Sequence, residues 1–202
     1  MNRLVLAAVA VVALLGWVTP VHATPITYTE TVLATGVLGV TPFTNALVTV
    51  TLSGNTTTVL SGSSPFGSCS PCYTNAGSTT VNVSGVGTGI FTDPMVVWDN
   101  GSGGIDSIAI VDAAIPGAVV YINNIAFATY DLTTSIGPIS SPPGLFVHVY
   151  PTTSGAFTMT SVGDTATFTA TVRGAAVPEP ASLMLLGSGV VTLAGRRFRR
   201  RR

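Results

Sequence analysis

The central part of this sequence contains almost no positive charge. Lysine is absent from all 202 residues, so the eight basic residues are arginines. One arginine is Arg3 and six lie within residues 196–202, which leaves Arg173 as the single cation between residues 24 and 177. Seven acidic residues and one arginine in that stretch give it a net charge near −6. Such a surface offers no electrostatic attraction for nucleic acid or for an anionic membrane.

Recognisable catalytic motifs are also lacking. The chain has neither a Gly-x-Ser-x-Gly nucleophile elbow nor a His-Glu-x-x-His zinc motif. His148 is the only histidine after His22, and it lies in an alternating segment, where a surface or packed imidazole is far commoner than a catalytic one. The sequence therefore predicts no enzyme, no catalytic residue and no cofactor. A hydrolase stays an alternative that requires His148 to reach both an acid and a nucleophile.

The N-terminus has the three parts of a secretory signal. Arg3 precedes an apolar run over residues 4–18, and a Thr19-Pro20 break leads to a cleavage region that ends in Ala23. The run of about fifteen residues is shorter than the roughly twenty that span a bilayer. We therefore expect a signal helix over residues 1–23 that signal peptidase removes after Ala23, and an N-terminal membrane anchor is the alternative.

The C-terminus has three parts as well. Pro178, Glu179 and Pro180 come first, residues 181–194 carry no charge, and an arginine cluster begins at Arg196 and Arg197. Fourteen helical residues reach only about 21 Å, so the helix is a short transmembrane one whose arginines stay cytoplasmic. A permanent tail anchor is one interpretation of this pattern.

This arrangement resembles the PEP-CTERM sorting signal of Gram-negative bacteria. The resemblance covers about the last twenty-six residues and implies export, transient anchoring in the inner membrane and cleavage of the tail by an exosortase. It also implies a location at the cell surface and an association with exopolysaccharide or biofilm. Because a sorting tail is an address, it does not define an activity. We expect a sorting tail at residues 177–202 and one secreted domain at residues 24–176.

The secreted domain alternates apolar and polar residues over short runs. In residues 165–172, a period of two places threonines on one face and Ala166, Phe168, Ala170 and Val172 on the other. Turn residues such as Asn, Gly and Pro separate the runs, and no stretch has helical periodicity. The pattern predicts an all-β antiparallel β-sandwich, with a partly open barrel or a β-solenoid as the alternatives.

The only cysteines are Cys69 and Cys72, which have two residues between them in a Gly/Ser-rich segment. In an exported protein this spacing favours a local disulfide. A redox motif normally opens a helix beside a strand, and a zinc site needs two further ligands, of which His148 is the one histidine available. We expect a structural disulfide, with redox and metal roles as alternatives.

Three acidic residues are weak candidates for calcium. Asp93, Asp99 and Asp106 surround a glycine-rich turn, and calcium prefers several oxygen ligands on a flexible loop. Their spacing does not match an EF-hand, and a hairpin turn with exposed aspartates explains the same residues. We therefore assign no metal site.

The main hypothesis is a cell-surface or matrix protein without catalytic activity, whose partners are its processing enzymes and extracellular polysaccharide. A module that binds carbohydrate or calcium is the second hypothesis, and ice binding by the threonines of residues 165–171 is a weaker one. Aromatic side chains clustered on one exposed face would favour sugar binding. The residues to examine are Trp98, Tyr73, Tyr121 and Tyr150.

Overall fold

The structure is a computed structural model that describes residues 23–62, 64–66, 69–101, 106–115 and 117–174. The predicted signal helix, apart from Ala23, and the whole predicted sorting tail lie outside these residues. Within the described ranges, no helix is long and apolar enough to cross a membrane.

The described chain forms a 12-stranded antiparallel sheet. In chain order the strands are β1 (Pro25–Leu38), β2 (Thr41–Asn55), β3 (Leu60–Ser61), β4 (Cys72–Val83), β5 (Gly87–Ile90), β6 (Met95–Asn100), β7 (Ser107–Asp112), β8 (Gly117–Asn123), β9 (Ile136–Ser141), β10 (Pro143–Gly144), β11 (Tyr150–Thr152) and β12 (Gly155–Val172). Two short 3₁₀ turns, Thr56–Thr58 and Ile125–Phe127, interrupt them.

Strand β1 shows why these residues form strands. Ile26, Tyr28 and Val32 are buried, whereas Thr27 and Thr29 between them are half-exposed. A period of two places the apolar side chains on one face of a strand and the threonines on the other. The same alternation recurs at the end of β12, so the two strands bury their apolar faces in one core.

The sheet curls until its two ends nearly meet. Its order is β10-β8-β7-β6-β4-β2-β1-β12-β11, and residues 136–144 connect the ends. Strand β9 pairs with β12 through Ile139 and Phe168, and β10 pairs with β8 through Gly144 and Tyr121. The predicted all-β antiparallel class is confirmed, and the sheet is a nearly closed, barrel-like one.

Strand β4 connects the two halves of the sheet. Its first half, up to Gly77, pairs with β6, and its second half, from Ser78, pairs with β2. A Cβ atom at Gly77 would lie 2.6 Å from the Leu52 side chain, so only glycine fits where the strand passes between the halves. The two halves face each other across the core, which keeps a sandwich-like arrangement of layers.

Aromatic rings fill much of the core. Phe168 packs edge-on against Phe127 with 5.6 Å between ring centroids, and it stacks on Tyr28 at 6.3 Å. Phe157 lies nearer the other end of the barrel, 6.1 Å from Phe91. Each fully buried ring contributes about 1.5–3 kcal/mol relative to an exposed one.

A buried hydrogen-bond network holds one end of the barrel. The Asn75 side chain donates to the Tyr28 hydroxyl (2.8 Å) and to the backbone carbonyl of Asn55 (3.0 Å). The Tyr28 hydroxyl donates in turn to the carbonyl of Leu132 (2.6 Å), and Thr58 donates to the Asn75 side-chain oxygen (2.8 Å). Because each group has a partner, these polar side chains can lie in the core.

Glu30 is a second buried polar residue, and it contacts a β-bulge. Ala109 pairs with Tyr121 and Val111 pairs with Ala118, so one residue of β7, Ile110, faces two residues of β8. The backbone N–H of Ile110 donates to Oε1 of Glu30 (2.9 Å), and Glu30 is 2% exposed. Burial raises the pKa of the Glu30 carboxyl well above its usual range.

Asp99 is also buried, on the inward face of β6. It is 1% exposed, and its Oδ1 has no hydrogen-bond partner among the described residues. Burial, with smaller contributions from the negative charges of Asp106 and Asp131, raises the pKa of Asp99 to about 8. Glu30 and Asp99 therefore favour their neutral forms in the folded protein.

We expect the protein to lose stability as the pH rises from about 5 to about 8. The pKa values of Glu30 and Asp99 are higher in the folded state than in the unfolded chain, so the folded state binds their protons more tightly. Their contribution is fully present below the unfolded-state pKa of about 4 and is lost as the pH rises through the folded-state values. Urea unfolding at several pH values measures this slope.

Two substitutions identify the source of the slope. Asp99→Asn and Glu30→Gln keep the size of each side chain but remove its ionisation, so each should flatten the profile. The control is Asp164→Asn at an exposed acid, which should leave the slope unchanged. A stability that is constant or rises over this pH range, or variants that keep the wild-type slope, would contradict the assignment.

Candidate functional site

The outer face of strands β6, β7 and β8 carries a short cross-strand row. Trp98 pairs with Ala109, and Ala109 pairs with Tyr121, so the three residues lie side by side across the sheet. Trp98 and Tyr121 are two strands apart, so their backbones are separated by about 10 Å. Ala109 is small and fully buried, and with Val111 and Ala118 it forms a second apolar cluster outside the barrel.

Two loop phenylalanines extend this row. Phe66 lies 4.8 Å from Trp98, and Phe146 lies 5.5 Å from Tyr121, measured between ring centroids. Phe66 and Phe146 are 6.5 Å from each other and are 42% and 47% exposed. We call these four residues, Trp98, Phe66, Phe146 and Tyr121, the aromatic strip.

The cysteines belong to the loop that carries Phe66. Cys69 and Cys72 form a disulfide, the pairing expected from the sequence. Cys72 is fully buried and begins β4, so the disulfide links the end of this loop to a fixed strand. The carbonyl of Cys72 also accepts a hydrogen bond from the backbone N–H of Gly62 (2.9 Å), at the start of the same loop. Both ends of the loop are therefore anchored on β4, the neighbour of the strand that carries Trp98.

The other end of the strip depends on Gly144. This residue pairs with Tyr121, and a Cβ atom at its position would overlap the Tyr121 ring. Glycine therefore allows the ring to lie across the neighbouring strand. The chain continues from Gly144 to Phe146, which places the second phenylalanine against the same ring.

A polar row lies next to the strip on the same face. Asn100 pairs with Ser107, and Ser107 pairs with Asn123, two residues along each strand from the Trp98 row. Alternation along the strands directs these side chains outward, whereas Asp99 and Asp112 face inward and are buried. The outward-facing residues of β6, β7 and β8 include no charged side chain. The face thus combines partly exposed aromatic rings with the exposed amide of Asn123, whereas Ser107 is buried.

Two of the four aromatic residues selected from the sequence are in the strip. Tyr150 is 1% exposed and packs in the core, and Tyr73 packs against the core from a half-buried position. Phe66 and Phe146 were not predicted, because single phenylalanines in Gly/Pro/Ser-rich loops follow no strand or helix pattern. Their neighbouring glycines and prolines indicated loops, but nothing in the sequence indicated which face the loops cover.

The structure does not bring the three calcium candidates together. Asp93 precedes β6 and Asp99 lies near its end, so about 20 Å of extended chain separates them. Asp99 is directed inward and is buried. Asp106 directly precedes β7, the strand that pairs with β6. Among the described residues, no group of three His, Cys, Asp or Glu side chains is placed to hold a metal ion.

His148 contacts an aromatic ring. Its imidazole meets Tyr150 edge-on at 4.8 Å between ring centroids, beside Gly117 of β8. Within the part of the chain that the structure describes, no hydrogen bond joins His148 to an acid or a hydroxyl. The arrangement that the hydrolase alternative requires is not assembled there.

The threonines of residues 165–171 belong to wider cross-strand rows. Thr167 pairs with Thr31, which pairs with Thr49, and Thr169 begins a similar row. Adjacent strands of a sheet are rotated by about 20–25° on average, a twist that works against the flat array of threonines that an ice surface needs.

The comparisons with known proteins concern the tail. Residues 176–202 match the family model for the PEP-CTERM protein-sorting motif. The predicted sorting signal, with Pro178, Glu179, Pro180 and the cluster from Arg196 and Arg197, falls within this match, although these residues lie outside the described structure. The motif implies an exported surface protein of a Gram-negative bacterium that an exosortase processes. No curated protein and no solved structure matches the chain.

Proposed function

We propose that this is a non-enzymatic surface or matrix protein whose β domain binds extracellular polysaccharide through the aromatic strip. The observation that carries the proposal is the exposure of two loop phenylalanines over Trp98 and Tyr121 on one face. Contiguous exposed apolar patches on a protein surface are a common mark of interaction sites. The sorting motif supports a location outside the cell, where exopolysaccharide or biofilm is the proposed partner.

Sugar rings suit this face for two reasons. A pyranose ring presents C–H bonds on its faces, which pack on aromatic rings, and hydroxyl groups around its edge, which need hydrogen-bond partners. The aromatic strip supplies the rings, and Asn123, which is exposed in the same strand as Tyr121, supplies an amide beside them. The strip and this amide together match both parts of a sugar.

A binding role is favoured over hydrolysis by the positions of the acids. Glu30, Asp99 and Asp112 are directed into the barrel, so the sheet separates them from the strip. Glycoside hydrolysis needs two carboxyl groups beside the scissile bond. The outward-facing side of β6, β7 and β8 carries no acid.

Processing at both ends completes the proposal. Signal peptidase removes residues 1–23, the apolar segment of residues 181–194 holds the chain transiently in the inner membrane, and exosortase cuts near Pro178–Pro180. Arg173, the last basic residue before the tail, follows β12 directly, so only a few residues connect the β domain to the cut.

Intact mass of the protein recovered from its native host tests the processing. We expect a product that begins near Thr24 and ends near Pro178–Pro180, with any attached glycan as additional mass. Sequencing of both termini locates the two cuts. A product that retains residues 196–202 would mean that the tail is a lasting anchor, and the exosortase assignment would fail.

Substitution of the exposed rings tests the binding face. We expect the double variant Phe66→Ser/Phe146→Ser to bind the host's exopolysaccharide at least about tenfold more weakly, a loss of about 1.4 kcal/mol. Affinity electrophoresis in gels that contain the polysaccharide measures the retardation. Gly144→Ala keeps all four rings but displaces Tyr121, and it should also weaken binding.

The control removes apolar exposure elsewhere. Val40 and Leu47 are 97% and 47% exposed and lie in the β1–β2 turn and on β2, so Val40→Ser/Leu47→Ser should bind as the wild type does. Circular dichroism shows that each variant is folded. Equal retardation of the wild type and the strip variant, or equal losses in strip and control variants, would contradict the proposed face.

A further inference from the structure

We propose that the aromatic strip selects a neutral, β-linked polysaccharide whose ring substituents are equatorial, and that it discriminates against uronic-acid polymers. The inference rests on the proposed function and specifies its ligand. It is drawn from the charge of the face, the spacing of its rings and the chemistry of the polar row.

The charge of the face excludes an anionic ligand. Carboxylates of a polymer are bound by Arg or Lys, which donate charge-assisted hydrogen bonds. Arg173 is the only basic residue between residues 24 and 177, and it follows β12 rather than any of the three strands that form the face. The acids around the rest of the domain repel polyanions as well.

The exposed end of the polar row is suited to neutral hydroxyl groups. The carboxamide of Asn123 offers a donor and an acceptor, which matches the dual character of a sugar hydroxyl. Asn123 is exposed at the β8 end of the row, two residues along the strand from Tyr121, whereas Ser107 in the middle of the row is buried. A ligand that stacks on the strip would place the edges of its rings next to this amide.

The spacing of the rings favours an extended chain. The backbone positions of Trp98 and Tyr121 are about 10 Å apart across the strands, close to the length of one disaccharide unit. Phe66 and Phe146 contact these two rings and each other, so the four rings form a continuous row. A β-linked chain of all-equatorial sugars is a flat ribbon that can contact successive rings. An α-linked chain coils, and an axial hydroxyl would hold the sugar face away from the rings.

Binding measurements on the processed protein from its host test the inference. Isothermal titration calorimetry with cellohexaose, maltohexaose and an alginate hexamer compares a neutral β-linked, a neutral α-linked and an anionic oligosaccharide. We expect cellohexaose to bind at least about tenfold more tightly than the other two, with little dependence on salt concentration. Asn123→Ala should weaken cellohexaose binding several-fold, whereas Asn82→Ala, at an exposed amide on β4, should not.

Each other outcome has a distinct meaning. Alginate binding that depends on the strip and equals or exceeds cellohexaose binding would overturn the ligand class but leave the proposed function intact. The same holds for equal binding of maltohexaose. If no oligosaccharide and no host polysaccharide binds, and the Phe66→Ser/Phe146→Ser substitutions abolish a concentration-dependent dimer, the strip is a self-association surface and both proposals fail.

Discussion

The pairing of residues 136–144 with both ends of the sheet is the constraint on which the rest of the structure depends. Strand β9 continues the sheet from β12, and β10 attaches two residues later to β8. This closure separates an interior, filled by Phe168, Phe157 and their neighbours, from an exterior of threonines and small polar residues. It also removes most of the free strand edges at which exported β proteins associate wrongly.

The same closure creates the candidate site. Because Gly144 lies beside Tyr121, the chain leaves the sheet at that point and carries Phe146 over the outer face. From the other side, the disulfide of Cys69 and Cys72 holds the loop of Phe66. The strip is therefore assembled from two loops and two strands that are distant in sequence, which is common for binding sites positioned by a rigid scaffold.

Local patterns predicted the strands well and the site only in part. Alternation in β1 and β12 identified their inward faces, and the compartment implied by the termini identified the cysteine pairing. In the sequence, Glu30 could not be distinguished from a glutamate on the exposed face of a strand. Its hydrogen-bond partner, the N–H of Ile110, is 80 residues away along the chain. Phe66 and Phe146 escaped prediction for a similar reason, because their contacts with Trp98 and Tyr121 exist only after the sheet has closed.

Fluorescence of Trp98 offers the most direct test that the strip is where polysaccharide binds. The other tryptophan of the chain, Trp17, lies in the signal segment, so emission from the processed protein reports on Trp98 alone. Titration with polysaccharide from the host's own matrix should shift this emission to the blue in a saturable way and protect the indole from acrylamide quenching. Polysaccharide that binds the protein but leaves the emission and the quenching unchanged would place the binding site elsewhere and contradict the account.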